Sequence, residues 1–122
     1  MKTHKDLNVW QNSIHLVKII YELTSKFPTS ELYSLTSQLR RASVSIPSNI
    51  AEGAARSYDK EFIHFLSISS GSLSEVETQI IIAAELGFIN ELEKEKVLNS
   101  LIEIRAQLNG LIKHLRNKES KE

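Results

Sequence analysis

Apolar residues recur at three- and four-residue spacing in four successive segments of the chain, which is the pattern of amphipathic helices. The first segment carries two neighbouring apolar stripes, one of Leu7, Trp10, Ile14, Val17 and Tyr21 and the other of Val9, Leu16, Ile20 and Leu23. Phe27-Pro28 should end this helix, because the residue before proline is disfavoured in the helical region. Two stripes exceed what a four-helix core needs from one helix, so we expect the surplus at a subunit interface.

The second segment should begin at Thr29 or Ser30, which are good N-cap residues. Its apolar stripe consists of Leu32, Leu35, Leu39, Ala42 and Ile46. Pro47 then interrupts the pattern, because proline lacks an N–H and its ring clashes with the preceding turn.

Two interpretations compete at Pro47. The helix either kinks and continues to about Arg56, or it breaks and restarts with Asn49 as the cap of an Asn49-x-x-Glu52 capping box. Continued apolar spacing beyond the proline favours the kinked helix.

The third segment follows a turn at Ser57-Tyr58-Asp59, and Gly87 is well placed as its C′ residue. Its heptad stripe is Phe62, Phe65, Ser69, Ser72, Val76, Gln79, Ala83 and Leu86. Asn90-x-x-Glu93 predicts a capping box for the fourth helix. The seam of that helix is Val97, Leu101, Ile104, Leu108, Leu111 and Leu115.

These segments predict one all-α domain over residues 1–122. The predicted helices span about residues 6–26, 30–56, 59–86 and 91–116. The chain has only 4 Gly and 2 Pro, which predicts short loops between the helices. Short loops join antiparallel neighbours, so we expect consecutive helices to be antiparallel. The predicted architecture is an up-down-up-down four-helix bundle.

Composition narrows the classes of function. The chain has no Cys, which excludes disulfides, thiolate metal sites and Cys nucleophiles. No apolar run is long enough to span a membrane, and the N-terminal residues lack an apolar signal core, so we expect a cytoplasmic protein without membrane contact. Lys+Arg and Asp+Glu both count 15, so any attraction for nucleic acid must be local.

One local cationic stretch lies at the end of the fourth helix. Between residues 105 and 118 the only charged residues are Arg105, Lys113, Arg116 and Lys118. The four charges either complement the dipole of a solvated helix end or form a surface for phosphate groups. Lys2 and Lys5 would join them if the chain ends lie nearby.

Polar residues also occupy positions that continue the apolar stripes of the second and third helices. We expect a network there that includes Arg40, Arg41, Asn49, Glu52, Ser72, Glu75 and Gln79. Buried polar groups need partners, so the network either fixes helix register or lines a polar pocket. Specifically, Arg40 or Arg41 should pair with Glu52 or Glu75, within the bundle or across a subunit boundary.

Catalytic chemistry finds little support. Glu61-x-x-His64 is half of a carboxylate-bridged di-metal motif, but no second Glu-x-x-His accompanies it. His15 and His114 have Asn12 and Leu111 three residues earlier. We therefore predict no enzyme, no catalytic or cofactor-binding residues, no metal and no small-molecule substrate.

Several motifs nevertheless resemble one family. Trp10-Gln11 and Ile20-Tyr21-x-Leu23-Thr24-x-x-Phe27-Pro28 are similar to the start of the bacterial four-helix-bundle family encoded within intervening sequences of 23S ribosomal RNA. The run Gln38-Leu-Arg-Arg-Ala-Ser-Val-Ser-Ile-Pro-Ser-Asn-Ile-Ala-Glu-Gly53 resembles that family's signature. So does Phe65-Leu-x-Ile-Ser-Ser-Gly-Ser-Leu-x-Glu75, where Ser69-Ser70 replaces a stretch that often contains Ala.

The resemblance covers about residues 6–115 and implies a left-handed bundle that assembles into a ring-shaped homopentamer. The family's molecular function is not established. A related branch, the accessory protein of diversity-generating retroelements, binds nucleic acid and a reverse transcriptase. By analogy we expect an oligomer that binds RNA or a nucleic-acid-binding protein. The alternative is a purely structural protein-protein assembly module, and an enzyme or metal carrier comes third.

Overall fold

The computed structural model describes residues 3–120, with the side chains of residues 3–118. Four helices and no strand occur in that part of the chain. They are α1 (Asn8–Thr24), α2 (Leu35–Ala54), α3 (Asp59–Glu85) and α4 (Glu91–Ser120), with short 3-10 turns at His4–Asp6 and Thr29–Glu31. Both α1 and α3 pack against α2 and α4. The predicted all-helical fold is confirmed.

The second helix begins later than the sequence predicted. Thr29 and Ser30 belong to a 3-10 turn that follows Pro28, and α2 starts only at Leu35. The interruption lies at Ser34, whose backbone leaves the helical region at φ −125° and ψ −103°. As a result Leu32, which was expected in the core, is 46% exposed.

Helix α2 runs without interruption through Pro47 to Ala54, so of the two interpretations the continuous helix is found. Asn49 caps no new helix. Its side-chain amide donates instead to the Ser45 carbonyl at 2.8 Å and to Ser45 Oγ at 2.9 Å.

The core takes one of the two apolar stripes of α1. Val9, Leu16 and Ile20 are buried, whereas Ile14 and Tyr21 of the other stripe are 43% and 42% exposed. The remaining helices contribute fully buried aliphatic side chains, among them Leu39, Ile46, Ile50, Leu66, Leu73, Ile80, Leu101, Ile104 and Leu108. Leu7 and Trp10 of that other stripe are partly buried against the core, and its remaining residues, Ile14, Val17 and Tyr21, form an apolar strip on the surface of α1.

The connection between α3 and α4 follows the predicted end signals. Gly87 has φ +80°, a conformation that glycine adopts without steric cost. Its N–H donates to the Ala84 carbonyl at 3.0 Å and the Phe88 N–H donates to the Ala83 carbonyl at 2.9 Å, which is a Schellman motif.

The start of α4 carries the predicted capping box. The Glu93 N–H donates to Asn90 Oδ1 at 2.8 Å, and the Asn90 N–H donates to Glu93 Oε1 at 3.0 Å. Among residues 3–120, no helix is both long and apolar enough to cross a membrane.

Candidate nucleic-acid interface

The four predicted cations of α4 form two groups, which differ in whether an acidic side chain lies nearby. Arg105 lies 3.7 Å from Glu77 and within 3.5 Å of the Ser74 hydroxyl, and Lys118 lies 3.5 Å from Asp59. Both acids are on α3. These two cations are therefore partly neutralised within the chain.

Lys113 and Arg116 have a different setting. They line a groove of about 540 Å³ between α3 and α4, and no ion pair to either is found in the described part of the chain. None of the described residues that line the groove carries a carboxylate. We call it the α3–α4 groove; its other lining residues are Ser67, Ser70, Asn109, Ile112 and Asn117.

Helical spacing explains why these side chains share one groove. Asn109, Ile112, Lys113 and Arg116 recur at steps of three, four and seven residues, so they lie on one side of α4. Ser70 faces them from α3, and its hydroxyl oxygen is buried without a hydrogen-bond partner. A buried hydroxyl without a partner is uncommon in folded proteins.

Lys5, the described lysine near the N-terminus, does not extend this groove. Lys5 is exposed in the first 3-10 turn and does not line it. Lys2 lies outside the described residues.

Part of the predicted polar network lies between α2 and α3. The hydroxyl of Ser72 donates to Ser45 Oγ at 2.9 Å, and Ser45 Oγ in turn accepts from Asn49. The buried Ser69 hydroxyl donates to the Ile46 carbonyl at 2.9 Å. These contacts cross from one helix to the other, so they help to fix how α2 and α3 pack.

The predicted Arg–Glu pair does not form within the described chain. Arg40 Nε donates to Thr24 Oγ1 at 2.9 Å, and its guanidinium lies 4.7 Å from the centre of the Tyr21 ring. Glu52 pairs instead with Arg56, which lies two residues beyond the end of α2. Arg41 and Glu75 are exposed, so a pair across a subunit boundary stays a prediction.

Gln79 completes the set of predicted polar residues. Its side chain is half-buried on α3, and its Oε1 atom is buried without a hydrogen-bond partner.

Three structural residues were missed in the sequence. Thr24 was assigned to a helix end, yet its buried hydroxyl holds Arg40 and donates to the Ile20 carbonyl. Ser70 was noted only as polar. Gly53 is buried where α2 meets α3, and a β-carbon built there would lie 2.9 Å from Phe62 Cδ1 and 2.9 Å from Phe65 Cβ. Its position within the predicted helix of residues 30–56, where glycine is costly, was the available signal.

The half-motif Glu61-x-x-His64 gains no further ligand. Glu61 lies 4.0 Å from Arg56, and the His64 ring packs against Phe65. Within the described residues, no group of three or more His, Asp or Glu side chains is placed to hold a metal ion.

The protein is therefore an all-helical protein with a cationic groove between two of its helices. Comparison with protein families adds the identity. Residues 5–110 match the family described as 23S rRNA-intervening sequence protein, and because this match covers most of the chain, the protein belongs to that family. A search of curated proteins found no match.

Proposed function

We propose that this protein is a non-catalytic, homo-oligomeric four-helix bundle that binds RNA, with the phosphate backbone in the α3–α4 groove. The observation that supports the proposal is that the groove contains two cationic side chains without an acidic partner among the described residues. Among the residues that the structure describes, Lys113 and Arg116 have no ion pair, and they share the groove with Ser70, whose hydroxyl has no hydrogen-bond partner. Phosphate contacts need only such positive charge and hydrogen-bond donors, so a chain of zero net charge can supply them locally. We also propose that it acts in the cytoplasm, where RNA is available.

The proposal includes an antiparallel, up-down, left-handed bundle. Contacts between α2 and α3 support the antiparallel part, because residue numbers rise along α3 as they fall along α2. Ser72 meets Ser45, Ser69 meets Ile46, and Phe62 meets Gly53. Handedness and ring assembly follow the family resemblance.

Assembly is supported by the apolar strip on α1. Trp10, Ile14 and Val17 line an apolar groove of about 300 Å³ together with Val44 and Ala51 of α2. A second set of exposed apolar residues consists of Ile68 and Ile82 of α3 and of Leu86, which directly follows that helix. A closed ring of more than two copies needs two different surfaces on each subunit, and these two surfaces fit that need. We expect a homo-oligomer, with the pentamer as the expected size.

Light scattering tests this part directly. A single species several times the mass of 13.8 kDa is expected, and Ile14→Asp should dissociate it, because a charge would be buried at the subunit contact. Tyr58→Asp is the control, because Tyr58 is exposed and lies outside both apolar surfaces. A monomer at micromolar concentration would contradict the assembly proposal.

A purely structural assembly module is the second candidate, and the same apolar strip favours it. The two candidates differ in what the cations do. RNA binding requires Lys113 and Arg116, whereas assembly through apolar contacts does not.

Fluorescence anisotropy with a short, labelled single-stranded RNA tests the RNA proposal. The double variant K113E/R116E should bind at least about tenfold more weakly than the wild type, because two phosphate contacts become repulsive. The matched control is K18E/K96E, which reverses two lysines away from the groove and should retain affinity. Equal losses in both variants would contradict the groove as the RNA-binding surface, and no RNA binding by the wild-type oligomer would leave the assembly module as the function.

A further inference from the structure

A second concave site lies between α1 and the start of α2. Its volume is about 490 Å³, and we call it the tyrosine-arginine pocket. Tyr21, Tyr33, Arg40 and Arg41 line it together with Leu32 and Val44. Two hydroxyl side chains, Thr36 and Ser37, complete the lining, and no carboxylate is among the lining residues. The pocket therefore combines two positive charges, two aromatic rings and hydroxyl donors.

Tyr33 is the most exposed large hydrophobic side chain in the described part of the protein, at 93%. It lies in the connection between the 3-10 turn and α2, where the unusual backbone of Ser34 follows it. A ring so fully in water contributes little to the core. Both its faces are open to a planar ligand.

The two arginines are held differently. Arg40 is fixed, because Nε donates to Thr24 and the guanidinium lies over the Tyr21 ring. No further hydrogen bond of its terminal nitrogens is found among the described residues, so they can donate into the pocket. Arg41 is exposed and forms no ion pair with a described acid. A fixed guanidinium loses less freedom when it binds an anion than a free one does.

We propose that the tyrosine-arginine pocket binds one unpaired nucleotide. The base stacks on Tyr33, and the phosphate accepts hydrogen bonds from Arg40 and Arg41. Aromatic stacking with guanidinium contacts to phosphate is the usual way in which proteins hold single-stranded nucleotides. Leu32 supplies apolar surface against which the sugar and base edge pack, whereas Val44 lies where the pocket meets the apolar groove beside α1. The site shares no residue with the α3–α4 groove, so it does not depend on the function proposed above.

Calorimetric titration of the intact oligomer with adenosine monophosphate tests this site. The wild type should bind, and Tyr33→Ala should weaken binding by about fivefold or more, because it removes the stacking surface. Tyr33→Phe should retain the affinity, since it keeps the ring. Arg41→Gln should weaken adenosine monophosphate but leave adenosine unaffected. The groove variant K113E/R116E is the matched control and should bind as the wild type does.

Several outcomes would overturn the proposal. Binding of inorganic phosphate as tight as that of adenosine monophosphate would indicate an anion site without base recognition. Absence of binding at millimolar ligand, or unchanged affinity in Tyr33→Ala, would contradict it outright. If light scattering shows that Tyr33→Ala or Arg41→Gln alters oligomer size while nucleotide affinity is unchanged, the pocket is a contact between copies of the chain.

Discussion

The two sides of α3 use the same residue type in different ways. Towards α2, the serines are buried and paired, with Ser69 on the Ile46 carbonyl and Ser72 on the Ser45 hydroxyl. Towards α4, Ser70 has a buried hydroxyl with no partner and lies beside two cations. Composition alone does not distinguish these serines. Their hydrogen-bond partners distinguish them. A serine whose hydroxyl has a partner belongs to a structural contact, and the one without a partner lies at a candidate binding surface.

Distance between the helices accounts for much of this difference. At Gly53 the α2 backbone lies so close to α3 that no β-carbon fits without a shift of Phe62 or Phe65. Short side chains can then reach across and pair. Towards α4 the helices leave a groove of about 540 Å³, and no hydrogen-bond partner of the Ser70 hydroxyl is found among the described residues. One side of α3 is therefore closed, and the other is open to a ligand.

The largest effect should come from Gly53→Ala, which tests the close contact. The added methyl group would overlap the two phenylalanines, and overpacking of this kind costs roughly 1–3 kcal/mol of unfolding free energy. Gly71→Ala is the matched control, because no atom of another helix lies within 4 Å of a β-carbon placed there. That variant should gain up to about 1 kcal/mol from helix propensity. Urea denaturation measures both, and equal changes would show that the α2–α3 contact is not tight.

Removal of a serine hydroxyl should separate the two sides of α3. Ser72→Ala should cost about 0.5–1.5 kcal/mol, because the hydrogen bond to Ser45 is lost. Ser70→Ala should cost nothing or stabilise slightly, since its buried hydroxyl has no partner to lose. Chemical denaturation of the two variants side by side gives the comparison. A larger loss for Ser70→Ala would mean that this hydroxyl has a structural partner.

A smaller difference in stability is expected between variants of two arginines, Arg116 and Arg40. Arg116→Ala should leave stability unchanged, because the residue is exposed and forms no ion pair in the described chain. Arg40→Ala should destabilise by about 1 kcal/mol or somewhat more, since it breaks the bond to Thr24 and the contact with Tyr21. Thermal unfolding of both variants measures this difference. Destabilisation by Arg116→Ala as large as that by Arg40→Ala would place the groove cations among the structural residues.

Local signals predicted much of the fold. Apolar periodicity identified all four helices, and Gly87 and the Asn90–Glu93 box marked the connection between α3 and α4 correctly. The start of α2 was missed, because Thr29 and Ser30 are equally good residues for a 3-10 turn. Nothing in the local sequence signals the backbone break at Ser34.

The candidate site was harder to predict, because it depends on which helices are neighbours. The sequence showed four cations on α4. Only the packing of α3 against α4 shows that Glu77 lies close to Arg105 and Asp59 close to Lys118. Likewise, Arg40 was expected to meet a carboxylate and meets Thr24 and Tyr21 of α1 instead. Partners distant in sequence cannot be read from the spacing within one helix.

The salt dependence of RNA affinity decides whether the α3–α4 groove binds RNA phosphates. For single strands, each phosphate contact contributes a slope of about −0.7 to a plot of log affinity against log salt. If Lys113 and Arg116 each neutralise a phosphate, the variant K113Q/R116Q should have a slope shallower by about 1.4, while K18Q/K96Q keeps the wild-type slope. A slope that K113Q/R116Q leaves unchanged would contradict the assignment of the α3–α4 groove as the RNA-binding surface.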